Sequence, residues 1–494
     1  MYLSWFRVRI VIEYRTPSKR IKVRIPQSGS SLYHIYGVCL SYSAHIAQMT
    51  ILATPLSVAD RQVLGLRARK QLARSSQADF HAAACNQDPL GLLRESMKGR
   101  VQSLVPLKYE RMVANAFGFF RGAVPIMAAD LACHPNTGIT TQMCGDAHVL
   151  NLGAYAAPDG RLVFDVNDFD ETMRGPFEYD VKRLATSLIL AGREAGVKRS
   201  ARRDAVLHFA KQYREMMHGF AAMPVLEIAR YQIHRLARMG PMPAILSQAE
   251  RSTPQKMLKS LTVVAAGKGG KGSVPPRVFR SNPPLLERLS AKEAGTVLAA
   301  LGPYARTLQP ERRHFLEQYV PQDVAFKVVG TGSVGLRDYV IYFEGASRPH
   351  GIDPLFLQIK EEPASAYAPY LPEGSSHTHQ GHRVMDGQRA MQLTSDPFLG
   401  YTTIGGRDFL VRQLNDHKAS LDLGALTADS LLGYADVCGE LFARGHARAG
   451  DPVTIASYLG KSDRFDRAIL SFAAAYADKT EHDWGLLKKS LKKS

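Results

Sequence analysis

The chain has 494 residues, 45% hydrophobic and 22% charged, an ordinary balance for a globular protein and enough for one large two-lobed domain or two domains with a sizeable core. A formal net charge of +18 favours anionic partners such as nucleotides, nucleic acid or acidic lipids, yet no RNA- or DNA-binding motif with interleaved aromatics accompanies it. Five scattered cysteines, Cys39, Cys85, Cys133, Cys144 and Cys438, lack zinc-type spacing and point to a reducing, cytoplasmic setting, and no uninterrupted apolar run reaches the roughly 18 residues of a membrane helix.

Before Met49 seven Lys and Arg residues stand against Glu13, a local charge of +6. Arg7 and Arg9 interrupt the start, which argues against a signal peptide, and His34, His45 and Gln48 weaken the mildly apolar stretch from Tyr33 to Leu56. Met49 is followed by a credible beginning, with Ala59-Asp60-Arg61 leading into a basic helix. Translation is therefore expected to start at Met49, with residues 1–48 an extension. From Ser57 to Gly122 the pattern is mostly helical, with Met112, Ala116 and Phe119 on one face. Arg121, after Phe119-Phe120, reads either as a counter-ion for an acidic cluster or as an anion clamp.

The chemistry is concentrated next. Cys144-Gly145-Asp146-Ala147-His148-Val149-Leu150-Asn151 precedes a short apolar strand, Leu152 to Ala156. Pro158-Asp159-Gly160 is a turn signal, and Arg161 to Phe164 resumes the strand into Asp165-Val166-Asn167-Asp168-Phe169-Asp170-Glu171. A hairpin here returns Asn151 and Asp168 to the same end. An Asp, an Asn five residues on and a later Asp is the kinase layout, with Asp146 as base and Asn151 and Asp168 on a divalent metal, Asp170 in support. Crowded carboxylates repel unless a cation joins them, which favours metal over a merely solvated acidic loop. The loop departs from the His-Gly-Asp form of antibiotic and choline kinases in carrying Cys144 before Gly145.

An amphipathic helix through Asp180, Val181, Leu184, Ala185, Leu188 and Ile189 should stop at Gly196, and another should cover about Arg202 to Ala221. Gly267 to Ser273 lacks the terminal Gly-Lys-Ser/Thr of a P-loop and reads as a linker. From about Asp323 the pattern becomes a three-strand meander, Val324–Val329, Tyr339–Phe343 and Leu355–Lys360, with Gly330, Gly332, Ser333 and Gly335 at its first turn. Such glycines let backbone N–H groups approach phosphate, and Lys360 would face the same pocket; a glycine-rich turn beside an exposed Lys is the bland alternative. Helix is expected around His382 to Leu393 and again over Phe409 to Leu414, with Asp386 the best-placed acid to pair with Lys360. Leu421 to Leu487 reads as helical, with Phe465, Ile469, Phe472 and Tyr476 a core stripe and the terminal lysines a solvated tail. His446, Arg448 and Asp451 read as a second phosphate or substrate contact, or as a helix-end cap and ion pair.

Phe119-Phe120-Arg121-Gly122, Gly145-Asp146-Ala147-His148, Asn167 to Glu171, Gly175 to Asp180, Gly330 to Gly335, Leu357 to Glu361, Gly387-Gln388-Arg389 and His446 to Asp451 together resemble a bacterial family known as domain of unknown function 2252, from roughly Leu66 to Trp484. The resemblance implies a fold and no activity. Because the acidic block precedes the glycine block, the fold expected is α+β, a circularly permuted protein-kinase-like or aminoglycoside-phosphotransferase-like arrangement. It would have a mostly helical large lobe over residues 49–320 with a catalytic hairpin, a small antiparallel-sheet lobe at 321–415, and helices at 416–494 completing the large lobe.

The leading functional expectation is ATP- and Mg²⁺-dependent phosphoryl transfer to an unknown hydroxyl-bearing acceptor, with Lys360 and the Gly330–Gly335 backbone on the nucleotide's phosphates. One alternative is a metal-dependent phosphoester hydrolase using His148, Asp146, Asp165 and Asp168. The other is a nucleotide-binding pseudo-enzyme without turnover. Oligomeric state and acceptor are open.

Overall fold

Local signals start the helices. Ser57 caps the helix Val58–Gln71 in a capping box with Asp60, as the Ala59-Asp60-Arg61 start suggested. The computed structural model describes residues 55–80, 85, 88–233, 240–265, 276–345, 352–374, 376–414 and 419–492. The extension before Met49 and the Gly267–Ser273 linker lie outside them. Residues Ser57–Ser494 form one unit, of mixed α+β composition with antiparallel sheets.

Its centre is the helix Phe177–Glu194, buried on nearly every side. A helix so enclosed must be packed all round, here by Arg199–Ala221, Ala428–Ala449 and Arg464–Leu491. It ends as the sequence indicates. Gly196 sits at φ +68° and donates to Arg193 O, while Val197 donates to Gly192 O, closing the last carbonyls in a Schellman turn. Phe465, Ile469, Phe472 and Tyr476 are all buried, as the stripe on the last helix requires. No described helix is long and apolar enough to cross a membrane.

The second layer is a six-stranded antiparallel sheet. Its order is Gly400–Ile404, Arg407–Gln413, Pro354–Glu361, Asp338–Gly345, Tyr319–Lys327 and Leu286–Arg288. The expected meander occupies its middle. Alternation splits the strands between two faces. Ile341, Phe343, Leu355, Leu357 and Ile359 pack against Val297 and Tyr304 of two helices between Leu286–Arg288 and Tyr319–Lys327, and against Leu308 just after these two. Val340, Tyr342 and Phe356 pack on the other face against Leu258 and Phe279. Lys360, two pleats beyond Phe356, shares that second face.

Two expectations are corrected. Phe409 to Leu414 is not helical but lies mostly in the strand Arg407–Gln413, hydrogen-bonded on both sides. Gly405 and Gly406, at φ +57° and +73°, form the tight turn that makes Gly400–Ile404 and Arg407–Gln413 a hairpin. The sheet also begins before residue 321, because Leu286–Arg288 pairs with Tyr319–Lys327 and the helices from Ala291 onward pack on it. A three-residue strand carries too little alternation to be read from sequence.

Candidate functional site

The hairpin forms as expected, Leu152–Ala156 against Leu162–Val166, with Leu152 opposite Val166. That register sets Asn151 beside Asp168. The Asn151 amide nitrogen donates to the carbonyls of Asp146 (3.0 Å) and Asp168 (2.9 Å), and its oxygen accepts from the Asp168 N–H at 2.7 Å. Asn151 is buried, so it acts here as a strut that fixes both aspartate-bearing loops.

The loop before it is held from the central helix. Cys144 N–H and Gly145 N–H donate to the two oxygens of Asp180 at 2.8 and 3.0 Å. His446 Nε2 lies 3.3 Å from Asp180, and the other ring nitrogen is 2.9 Å from the Tyr213 hydroxyl. Gly145 is at φ +80°, and a Cβ there would stand 2.1 Å from the Glu171 carbonyl oxygen. Only glycine fits where these two loops cross.

Asp146, Asp168, Asp170 and Glu171 converge on the resulting cavity of about 460 Å³, and a fifth carboxylate, Glu95, lines it while paired with the exposed Lys98. Asp146 is clamped by the buried Arg183, whose guanidinium nitrogens lie 2.8 and 2.6 Å from Oδ1. His148 Nε2 is 3.7 Å from the other Asp146 oxygen, and burial drives the imidazole down to about 3, so it stays neutral. Lys360 reaches across from the sheet. Its amine is 3.4 Å from Asp168 Oδ1 and in direct contact with both oxygens of Asp170.

Burial disfavours the charge on Lys360, but Asp168, Asp170 and Glu362 outweigh it and raise its affinity for the proton. Several carboxylates share that one ammonium. Burial first, then Asp168 and Glu362, push Asp170 well above the usual carboxylate range. Glu362, whose two oxygens have no hydrogen-bond partner among the described residues, is pushed up to about 7, chiefly by burial.

The glycine run lies in the same cavity. Gly330, Gly332 and Ser333 line it, and Gly335 supplies the turn at φ +87°. The run is tied down through its carbonyls by two cations from the helix Val105–Val113 and by one from the bend before it. Lys108 donates to Thr331 O and Gly332 O, Arg111 to Val329 O, and Arg100 to Val334 O.

The residues singled out in the sequence thus divide. Asp146, Asp168, Asp170, Gly330, Gly332 and Ser333 line one cavity. Lys360 touches its acidic wall, while Asn151 and Gly335 shape it from behind. Asp386 is a correction: it pairs with His382 at 3.2 Å on an exposed turn, and the expected pair with Lys360 does not form. The helix Gln380–Met391 instead turns Arg383 inward, donating to the carbonyls of Asp170, Thr172 and Pro363. Asp165 faces away from the cavity in a buried 2.5 Å pair with Arg444, which removes it as a metal ligand of the hydrolase expectation. Asp451 caps the helix Pro452–Leu459 and pairs with Arg61 rather than with Arg448, which donates to Ala229 O, so capping describes Asp451 alone, while His446 backs Asp180.

Arg100, Lys108, Arg183, Glu362 and Arg383 were not read from the sequence. Lys108 left one trace, being four residues before Met112 on the apolar face of a helix, where a charged residue needs a reason.

A model of the family described as "uncharacterized protein conserved in bacteria (DUF2252)" matches residues 100–490. No curated protein and no solved structure matches the chain.

Proposed function

The chain belongs to that bacterial family, whose description names no activity, and we propose from its geometry that it is an ATP- and Mg²⁺-dependent phosphotransferase acting on a hydroxyl-bearing acceptor. The carrying observation is the 3.4 Å contact between Asp168 and Lys360, residues 192 positions apart. It joins the acidic and glycine-lined blocks at one cavity, as a circularly permuted, two-lobed kinase-like fold would require. In this reading Asp146 orients the acceptor hydroxyl through the oxygen that Arg183 leaves open. Asp168 and Asp170 are the carboxylates for the metal.

Among the described residues no group of three or more His, Cys, Asp or Glu side chains is arranged to hold a metal alone. Two carboxylates suit Mg²⁺ nonetheless, because it is usually held by one or two of them together with substrate phosphates. Bound, it would neutralise phosphate charge. Asn151, its oxygen engaged by the Asp168 N–H, would act by positioning these groups.

The test is thermal shift and turnover of the full chain with ATP or GTP and Mg²⁺ or Mn²⁺. A nucleotide at about a hundred times its dissociation constant adds roughly 2.7 kcal/mol. Asp168→Asn should abolish metal-nucleotide binding, whereas Asp146→Asn should spare binding and remove turnover. Stabilisation by no nucleotide defeats the reading. The engagement of Asn151 favours one second reading, a nucleotide-binding pseudo-enzyme, which predicts the same shift with no phosphorylated product.

A further inference from the structure

Four cations line the cavity and have no part in the catalytic assignment above; one, the exposed Lys98, is paired with Glu95 at 2.7 Å, which leaves three. Arg100, Lys108 and Arg121 line it together with Asp146 and Asp168, and none of the three is ion-paired among the described residues. The carboxylates nearby are engaged elsewhere. Arg183 holds Asp146, Lys360 holds Asp168 and Asp170, and Glu171 accepts from the Ala366 N–H at 2.6 Å.

The cations keep donors in reserve. Lys108, only 1% exposed, spends two N–H groups on Thr331 O (3.2 Å) and Gly332 O (2.5 Å), and an ammonium has three. Arg100 spends Nε on Ser96 O and Nη1 on Val334 O, leaving Nη2. Arg121 has its Nε buried with no partner, and its Nη2 lies 4.0 Å from where a Cβ on Gly330 would stand. Burial disfavours the charge on all three, most strongly on Lys108, where Arg100 adds to it. The carboxylates nearby offset this only in part, so an anion in direct contact would lower the cost. Three such groups around one glycine loop exceed what a single carboxylate can satisfy.

We propose that Arg100, Lys108 and Arg121 form a subsite for an oligophosphate, two or more linked phosphoryl groups gripped between these side chains and the Gly330–Ser333 loop. The inference deepens the phosphotransfer reading and rests on it only for the source of the phosphate, either a nucleotide's tail or a phosphorylated acceptor. Lys360, already shared by two aspartates, then holds the acidic wall rather than the phosphates.

Titration calorimetry of the full chain with inorganic tripolyphosphate and with ATP tests it. Wild type should bind tripolyphosphate, Arg100→Gln and Arg121→Gln should each weaken it at least about tenfold, and Arg121→Lys should retain most of the affinity. Arg161→Gln, at an exposed surface pair with Asp159, should change nothing. Unchanged affinity in both glutamine variants, or no tripolyphosphate binding by wild type, overturns the proposal. Arginine-dependent tripolyphosphate binding without ATP binding upholds the subsite and removes the nucleotide reading. ATP binding indifferent to both variants does the reverse. Displacement of tripolyphosphate by ATP identifies the nucleotide tail as the natural occupant, whereas simultaneous binding identifies an acceptor phosphate; both uphold the subsite.

Discussion

Glu362 shows what a single side chain contributes. It is 2% exposed, lacks hydrogen-bond partners among the described residues and is pushed up to about 7 from an ordinary 4.5. A carboxylate raised on folding binds more protons in the native than in the unfolded state between those values. Stability therefore falls as pH rises through that window and stays lower above it. Glu362→Gln should accordingly match wild type near pH 4 and exceed it at pH 8 by on the order of 3 kcal/mol. Urea unfolding at both pH values measures this, and a pH-independent difference would contradict it. Gly145 shows the opposite case, a residue defined by what it lacks. With φ at +80° and the Glu171 carbonyl 2.1 Å from any added Cβ, Gly145→Ala should cost more than about 3 kcal/mol, read from the shift of the same unfolding midpoint.

At the level of elements, the strands nearest the chemistry were legible because their signals are local. Pro158-Asp159-Gly160 between two apolar runs is sufficient to specify the hairpin, and Gly160 does take φ +80°. Phe409 to Leu414 misled because three apolar residues in a row, Phe409-Leu410-Val411, fit a buried strand or a helix turn equally well; the Gly405-Gly406 pair was the deciding feature. The partner of the acidic loop was not legible at all. Arg383 and Asp386 sit on one short helix, and which of them faces inward depends on how that helix docks, which no local pattern encodes. Arg383 serves three carbonyls of the loops from Asp170 to Thr172 and at Pro363. Arg383→Met should leave them unsatisfied and cost roughly 2–4 kcal/mol. Hydrogen exchange should quicken over residues 168–172 while the central helix Phe177–Glu194 stays protected. Equal protection in both segments would show that the arginine does not hold the loop.

Across the whole molecule, the cavity is a product of long-range contacts. Lys108 meets the glycine loop across 223 positions and Lys360 meets Asp168 across 192, so their meeting follows from topology rather than from neighbouring residues. Lys360 is the side chain that ties the sheet's second face to the acidic wall, and it is 2% exposed. Lys360→Met would leave Asp168 and Asp170 facing each other without their shared ammonium. Losing one partner of a buried pair costs about 3–5 kcal/mol, and the lower end applies because the Asp168 side chain is 47% exposed and partly screened by water. The loss should be present at pH 8. It should shrink toward pH 5, because Asp170, already held above the usual carboxylate range by burial and by Asp168, takes up a proton more readily without the ammonium. If these carboxylates also accept Mg²⁺, millimolar Mg²⁺ at pH 8 should restore part of the lost melting temperature in Lys360→Met and little in the double variant Lys360→Met, Asp170→Asn. Equal restoration in both would mean that the cation acts elsewhere, and the acidic wall would then be a structural clasp between sheet and helices.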